Sequence, residues 1–293
     1  MKQLLKKLIP EKVRLWRYSL YEKLRYYPEL IFSLGSGIEC PFCGGHFRRM
    51  RPGGFAYPIL IENRVIGASP RPNVVCPRCK SHDRERLLYL FIRNETNLLE
   101  KGGRVLHVAP EPKMREVLSR CGQVSYLSSD LHATEAMVPA DLLDMPFRDN
   151  WFDAVICNHV LEHVDDDRQG MREIWRVLKY GGWAILQVPI ALALPGTVED
   201  PSVKDENERI RRFGQRDHVR MYSPNDYPER LGESGFEVSI IPYSQKLGKE
   251  MVARYALEGE ETIYFCRKPE QSLERSPEQQ SKNQLLREPA LPG

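Results

Sequence analysis

The sequence lacks a long hydrophobic segment, a strong net charge and a disulfide-like cysteine pattern. No run of about 18 apolar residues occurs among its 293 residues, which argues against a membrane-spanning helix. The first residues show no apolar core before a small-residue cleavage site, so we expect no secretory leader. Lys and Arg total 43 against 40 Asp and Glu, and the net charge of +3 is too small to indicate nucleic-acid binding by itself.

Seven cysteines are present, and four of them form two C-x-x-C pairs separated by a glycine- and proline-rich stretch. The paired residues are Cys40, Cys43, Cys76 and Cys79, and the scattered ones are Cys121, Cys157 and Cys266. Two such turns supply the four thiolates of a tetrahedral zinc site, and four thiolates leave no open position. The pattern predicts a structural zinc ion, and free buried thiols elsewhere, in a reducing, cytoplasmic compartment.

We assign residues 36–80 to a zinc ribbon, and two roles for it stay open. It can simply stabilise a domain too small to bury much surface. It can also recognise a substrate, because its hairpin carries basic and aromatic groups able to bind phosphate or stack on bases. These groups are Phe47, Arg48, Arg49, Arg51, Phe55 and Tyr57.

Residues 1–35 form a predicted basic helical segment. Residues 1–27 carry a net charge of +6, which leaves −3 for the remainder. Apolar residues recur at helical spacing at Val13, Trp16, Leu20, Leu24 and Tyr27. Three interpretations remain: a helix packed on its own protein or a partner, a helix lying on the inner face of a membrane, or an RNA-binding segment.

Strands alternate with helices over residues 81–268, which predicts an α/β domain with a doubly wound parallel sheet. The strands are expected at 104–109, 124–129, 152–158, 183–188, 236–241 and 262–267. The helices are expected at 84–92, 111–120, 168–178 and 224–234, the last one capped by Ser223. Residues 190–222 form a charged insertion, and residues 269–293 have the composition of a disordered tail.

Four sequence features fall at the carboxyl ends of these strands, where doubly wound sheets bind ligands. They are the turn HVAPE at 107–111, Asp130, the segment DLLDMPF at 141–147 and the segment FDAVICNHVLEHV at 152–164. With the helix ending RVLKYGG at 176–182, they resemble the class I S-adenosylmethionine-dependent methyltransferases over roughly residues 85–268. The resemblance implies a Rossmann-like, seven-stranded sheet with helices on both faces, an antiparallel last strand and S-adenosylmethionine as cofactor.

The resemblance also implies roles for single residues. Asp130 would hold the ribose, Asp141 and Leu142 would contact the adenine, and Asn158 and His159 would lie beside the transferable methyl group. The family's glycine-rich turn after the first strand is missing, and His107, Ala109 and Glu111 stand in its place. A subgroup of zinc-ribbon methyltransferase-like proteins carries a similar H-x-A-P-E turn. In that interpretation Glu111 binds the ammonium group of the cofactor.

A hydroxyl acceptor would need a general base, and His159, His163 and His218 are the candidates because imidazole titrates near neutral pH. His218, within the insertion, is the preferred one, and His163 has a structural role as the alternative. We expect a small molecule or a glycan as acceptor, because no strongly basic catalytic face is implied. Two alternatives stay open. One is a ribosomal RNA base methyltransferase, because a zinc ribbon ahead of a class I domain resembles certain enzymes of that kind. The other is a non-catalytic scaffold. The oligomeric state is not predicted.

Overall fold

The computed structural model describes residues 28–132 and 136–270, and its centre is one mixed β-sheet of seven strands. In the order of the sheet the strands are β14, β15, β10, β9, β6, β7 and β8. Their bounds are Glu237–Ile241, Ile263–Arg267, Leu178–Gln187, Phe152–Asn158, Gly103–Val108, Val124–Asp130 and Val138–Pro139. Only β15 runs antiparallel to its neighbours within this sheet. The predicted seven-stranded sheet with an antiparallel last strand is therefore confirmed.

Helices cover both faces of the sheet because successive strand residues point to opposite sides. Leu106 and Val155 pack in one cluster with helix α5 (Asp167–Val177) and helix α7 (Asp226–Glu233). Val105 and Ala154, their direct neighbours along the chain, pack in another cluster on the other face. That second cluster includes side chains from helices α2 (Asp83–Glu95), α4 (Pro112–Arg120) and α8 (Tyr243–Tyr255).

The residues before the sheet form small antiparallel pairs. The strands are β1 (Leu34–Glu39) with β2 (His46–Phe47), and β3 (Arg51–Gly53) with β5 (Arg71–Val75). Helix α1 (Pro58–Glu62) and strand β4 (Val65–Ile66) lie between β3 and β5 in the chain. Strand β4 pairs with β11 (Ile190–Ala191), so this part of the chain is hydrogen-bonded to the segment that follows β10. The remaining elements are α3 (Leu98–Lys101), β12 (Val198–Glu199), α6 (Glu206–Phe213) and β13 (Arg220–Met221).

Several predicted bounds differ from the structure. Residues 28–33 are helical, but residues 34 and 35, predicted as helix, belong to strand β1. Helix α7 begins at Asp226 with Asn225 as its N-cap, although the Ser223 hydroxyl still accepts a hydrogen bond from the Asp226 amide at 3.2 Å. Cys121 is half-buried, whereas Cys157 and Cys266 are buried as expected.

The elements that were not predicted include β8, which has only two residues, and α8, which is interrupted by a non-helical conformation at Gly248. The predicted basic segment 1–27 and most of the predicted tail, 271–293, lie outside the described residues. None of the helices in the described part of the chain is long and apolar enough to cross a bilayer.

Candidate active site

A cavity of about 470 Å³ lies at the carboxyl ends of β6, β7 and β9. It brings together five of the residues predicted to bind the cofactor or to act on the acceptor: Ala109, Asp130, Asp141, Leu142 and His159. The charged insertion contributes to the same wall through Arg209 and Asp217. The strand ends and the insertion therefore enclose one space, at the edge of the sheet where doubly wound proteins bind ligands.

The turn after β6, residues 107–111, is held by a buried hydrogen-bond network. His107 is fully buried, and its Nε2 lies 2.7 Å from Oε2 of Glu111. The other Glu111 oxygen accepts a hydrogen bond from Asn158 Nδ2 at 3.1 Å. Burial acts to raise the pKa of Glu111, but the contact with His107 outweighs it and the pKa is lowered. His107 and Asn158 thus contact Glu111, and none of the three is among the residues that line the cavity.

Ala109 replaces the missing glycine with an unusual backbone conformation. Its φ is +47°, in the left-handed region that glycine adopts without steric cost. The strain is maintained by a hydrogen bond from the Ala109 amide to the Ser129 carbonyl at 2.8 Å. Backbone strain of this kind clusters at functional sites, and Ala109 faces the cavity.

The two predicted nucleoside-binding carboxylates stand on separate turns of the cavity wall. Asp130, the last residue of β7, accepts a hydrogen bond from the His132 amide at 2.8 Å. Asp141 accepts one from the Leu143 amide at 2.9 Å. These backbone contacts fix both carboxylates at the opening of the cavity, where a polar ligand can reach them.

The turn after β9 contains the histidine predicted to lie beside the methyl group. His159 has φ +54°, again in the left-handed region, and its amide donates to the Gln187 carbonyl at 2.8 Å. Its Nδ1 lies 3.3 Å from Oε1 of Glu162, while its buried Nε2 has no hydrogen-bond partner in the described part of the chain. Burial lowers the pKa of His159, which keeps the ring neutral and able to accept a proton.

Glu162, His163 and His218 form a second polar cluster next to the cavity, which we call the Glu162 cluster. One oxygen and two ring nitrogens lie within 4.8 Å of one another. His163 is half-buried and lines the cavity, whereas His218 is 3% exposed and its ring packs edge-on against that of His163 at 4.7 Å. The preferred base of the sequence analysis is therefore placed behind His163. Burial lowers the pKa of His218 to about 4.

The Glu162 cluster is held by contacts between the turn and the insertion. The Val219 amide donates to the Glu162 carbonyl at 3.0 Å. Arg220, 1% exposed, donates from Nη1 to the carbonyls of Leu161 and Val164 at 2.6 and 2.5 Å. A buried arginine that binds several carbonyls holds the backbone in one conformation, so the cluster is rigid before any ligand arrives.

The four paired cysteines lie together as predicted, with all Sγ atoms within 4.8 Å of one another. The Sγ atoms of Cys40 and Cys79 are 3.5 Å apart, and those of Cys43 and Cys76 are 3.8 Å apart. The residues after each pair, Gly44 and Lys80, both have φ near +60°, at +61° and +63°. Their amides donate to the carbonyls of Cys40 and Cys76 at 2.9 and 3.0 Å, so the two turns share one geometry.

The aromatic and basic groups of the predicted ribbon hairpin are not all available to a ligand. Phe47 is fully buried beside the cysteines, and Arg48 donates to the Phe32 carbonyl at 2.7 Å. Arg51 forms an ion pair with Glu29 at 2.9 Å. Phe55 is 46% exposed and stacks on Tyr57, with ring centroids 5.9 Å apart.

Comparison with known proteins agrees with this architecture. Residues 93–186 match the family described as "Methyltransferase domain". The match spans β6, β7 and β9, which line the cavity, and most of β10. This match supports the methyltransferase domain that the motifs predict.

Curated relatives match over a short stretch. A demethylmenaquinone methyltransferase of Corynebacterium urealyticum is 45% identical over 56 residues, 19% of this chain and 24% of that protein. One of Listeria monocytogenes is 37% identical over 67 residues, 23% and 28% of the two chains. The chain therefore spans about a quarter of the length of the curated relatives it matches.

Solved structures of methyltransferases are similar at low identity. A S-adenosylmethionine-dependent methyltransferase from Archaeoglobus fulgidus gives a TM-score of 0.42 at 15% identity, covering 64% of this chain and 95% of that one. A putative methyltransferase from Bacillus halodurans gives 0.39 at 19% identity, covering 62% and 98%.

Two buried carboxylates near His159, Glu162 and Glu261, are not among the predicted site residues. Glu162 follows the apolar residue Leu161 in the turn after β9. A charged residue in such an apolar turn is the feature of the sequence that could have indicated a functional carboxylate. Glu261 gave no such signal. A Cβ built on Gly67 would meet His159 Cε1 at 3.3 Å and Glu261 Oε2 at 4.0 Å, so both line the same small space. Burial raises the pKa of Glu261 to about 8.

Proposed function

We propose that the chain is an S-adenosylmethionine-dependent methyltransferase that binds its cofactor in the cavity at the ends of β6, β7 and β9. One observation carries the proposal: residues from all four sequence motifs, Ala109, Asp130, Asp141 and His159, line a single cavity. Carboxylates accept hydrogen bonds from ribose hydroxyls and from the adenine amino group, and the Leu142 side chain offers an apolar contact for the ring. The match of residues 93–186 to a methyltransferase domain supports the same chemistry.

The acceptor enters, in this proposal, from the side of the cavity formed by the turn after β9 and by the insertion. Bound cofactor supplies an electrophilic methyl group on a sulfonium. The residues of this chain would orient the acceptor toward that methyl group and exclude water. His159 lines the cavity and can accept the proton of a hydroxyl, whereas His163 and His218, whose rings contact each other, lie on the acceptor side.

We favour a small molecule or a glycan unit as acceptor. Cavity side chains of both signs, such as Arg209 and Asp217, do not form the basic surface that nucleic-acid backbones require. The curated relatives are, by their names, methyltransferases of demethylmenaquinone, a small molecule.

We also infer that Cys40, Cys43, Cys76 and Cys79 hold a structural zinc ion. Zinc lies about 2.3 Å from each thiolate in tetrahedral sites, which places the sulfurs about 3.8 Å from one another. The distances of 3.5 and 3.8 Å fit this geometry. The four sulfurs would fill all coordination positions of the zinc ion. The ion would therefore stabilise the ribbon and take no part in methyl transfer.

Calorimetric titration with S-adenosylhomocysteine, the demethylated product of the cofactor, tests the proposed function. Micromolar binding at one site per chain is the expected result, and S-adenosylmethionine should compete for the same site. Absence of binding by folded, zinc-containing protein would contradict the proposal and support the non-catalytic scaffold.

A further inference from the structure

The Glu162 cluster contains buried polar atoms with no hydrogen-bond partner. Glu162 is 1% exposed, and neither of its carboxylate oxygens accepts a hydrogen bond from the described residues. His218 is 3% exposed, and its Nε2 also has no hydrogen-bond partner among the described residues. Most buried polar groups in native proteins are paired, so three unpaired ligand atoms in one small region indicate a missing partner.

The missing partner should be a cation. A buried carboxylate without hydrogen bonds costs several kcal/mol, and a nearby positive charge removes that cost. In the described part of the chain, Glu162 has ion-pair contacts only with histidines: His159 Nδ1 at 3.3 Å and His163 Nε2 at 4.0 Å. No Lys or Arg in the described ranges pairs with it, so the charge is available to an ion from solution.

We propose that Glu162, His163 and His218 bind a divalent transition-metal ion of the zinc type. Two imidazole nitrogens and one carboxylate oxygen are a ligand set that such ions take, with one position left open. Metal–ligand distances of about 2.1 Å bring tetrahedral ligand atoms to about 3.4 Å from one another. Since the three atoms already lie within 4.8 Å, side-chain movements of about 1 Å are sufficient.

The surroundings position the ligands as metal sites require. Asp217 Oδ2 lies 3.5 Å from Nδ1 of His163, a contact that favours the other ring nitrogen, Nε2, as the ligand atom. The hydrogen bond from the Val219 amide to the Glu162 carbonyl fixes the distance between the two ligand-bearing segments. A preformed set of this kind binds metal without a large ordering cost.

The open position of the ion would face the methyltransferase cavity, because His163 and Asp217 form part of its wall. There the ion could bind an oxygen of the acceptor and lower the pKa of a hydroxyl. This role rests on the proposed function, whereas the metal site itself does not.

Zinc stoichiometry tests the proposal. Full-length protein is saturated with ZnCl₂, desalted and analysed for bound metal. We expect two zinc ions per wild-type chain and one per chain in Glu162→Gln, which retains the side-chain volume, and in His218→Ala. His46→Ala, an exposed histidine outside the cluster, is the matched control and should keep two. One zinc in the wild type and in every folded variant would overturn the proposal.

Cobalt spectra identify which site each metal occupies. Co²⁺ at the four cysteines gives intense thiolate charge-transfer bands, whereas Co²⁺ on nitrogen and oxygen ligands gives only weaker visible bands. We expect the weaker set to vanish in Glu162→Gln while the thiolate bands remain. Spectra of wild type and Glu162→Gln that are identical would contradict the proposal, even if His218→Ala fails to fold.

The two proposals fail separately. Binding of S-adenosylhomocysteine with only one zinc per chain would remove the Glu162 metal site and leave the methyltransferase. Two zinc ions per chain, without binding of S-adenosylhomocysteine, would remove the methyltransferase function and leave the metal site.

Discussion

The turns after β6 and β9 use the same residue types for opposite purposes. Each has a non-glycine residue in the left-handed conformation, Ala109 in one and His159 in the other. Each also places a glutamate next to a histidine. Glu111 receives hydrogen-bond contacts at both oxygens, from His107 at 2.7 Å and from Asn158 at 3.1 Å. Glu162 has histidines nearby but no hydrogen bond in the described structure.

This difference separates a glutamate that the protein itself stabilises from one that needs a partner from solution. A carboxylate with satisfied hydrogen bonds in a buried position stabilises one conformation of its turn. A carboxylate left unsatisfied destabilises the free protein and gains that energy back when a cation binds. We infer that the turn after β6 shapes the cofactor pocket and that the turn after β9 binds a metal ion on the acceptor side.

Matched Glu→Gln substitutions test the comparison most strongly. Glu111→Gln should lower the free energy of unfolding by about 1.5–3 kcal/mol, because hydrogen bonds to a charged group are worth about that much. Glu162→Gln in metal-free protein should leave it within about 0.5 kcal/mol of wild type, or raise it, because it removes an unpaired buried charge. Urea denaturation at pH 8 measures the free energy of unfolding of both variants. Burial lowers the pKa values of His159 and His218, so at this pH their rings are neutral and do not pair with the charge of Glu162.

The pH dependence of the free energy of unfolding of wild type and Glu111→Gln gives a control. The folded-state pKa of Glu111 lies below its ordinary value of 4.5, so its stabilising effect is complete above pH 4.5 and is lost as the pH falls through the folded pKa. The stability gap between wild type and Glu111→Gln should therefore narrow in acid. A gap that stays constant from pH 7 to the acid range would show that the loss is steric and that the two turns differ less than proposed.

Asp130→Ala should weaken binding of S-adenosylhomocysteine by roughly ten- to a hundredfold. A charge-assisted hydrogen bond to a ribose hydroxyl is worth about 1.5–3 kcal/mol, and every 1.4 kcal/mol is a factor of ten in affinity. Asp130 ends β7, the neighbour of β6 on the side away from β9, and it lines the cavity, so the substitution tests whether the nucleoside lies there. Calorimetry gives the affinity, with Asp149→Ala as control, because the exposed Asp149 pairs with Arg176 and is not part of the cavity wall. Unchanged affinity in Asp130→Ala would place the nucleoside elsewhere.

The sequence predicts the sheet better than it predicts either the hydrogen bonds of Glu111 or the Glu162 cluster. Strand β9 was predicted with its observed bounds because a run of apolar residues between Asn150 and Asn158 has few alternative structures. The Glu162 cluster depends on the path of the insertion, which brings His218 from 55 residues away against His163. That path is determined by Arg220 and by the pairing of β4 with β11, contacts that no local pattern indicates.

Glu111→Gln should also reduce cofactor affinity, by about tenfold, if Glu111 binds the ammonium group as the sequence analysis predicts. Each carboxylate oxygen can accept two hydrogen bonds, so the contacts with His107 and Asn158 leave acceptor capacity at both oxygens. Calorimetry would compare S-adenosylhomocysteine with an analogue that lacks the amine. The analogue should bind wild type and mutant alike, and equal losses for both ligands would rule out the ammonium contact.

Ala109→Gly should have the smallest effect, a gain of about 0.5–1 kcal/mol in the free energy of unfolding. A left-handed conformation costs a residue with a Cβ about 1–2 kcal/mol, and glycine removes that cost but loses about 0.4–1 kcal/mol through the greater freedom of the unfolded chain. Ala256, with φ +48° at the end of α8, is the matched control because it shares the conformation but not the cavity. Thermal unfolding of both variants should show similar gains. If Ala109→Gly is instead less stable than wild type while Ala256→Gly is more stable, the Ala109 methyl group makes packing contacts that outweigh the strain. The β6 turn would then be specifically built around alanine, and the absence of the family's glycines would be a functional feature of this cavity.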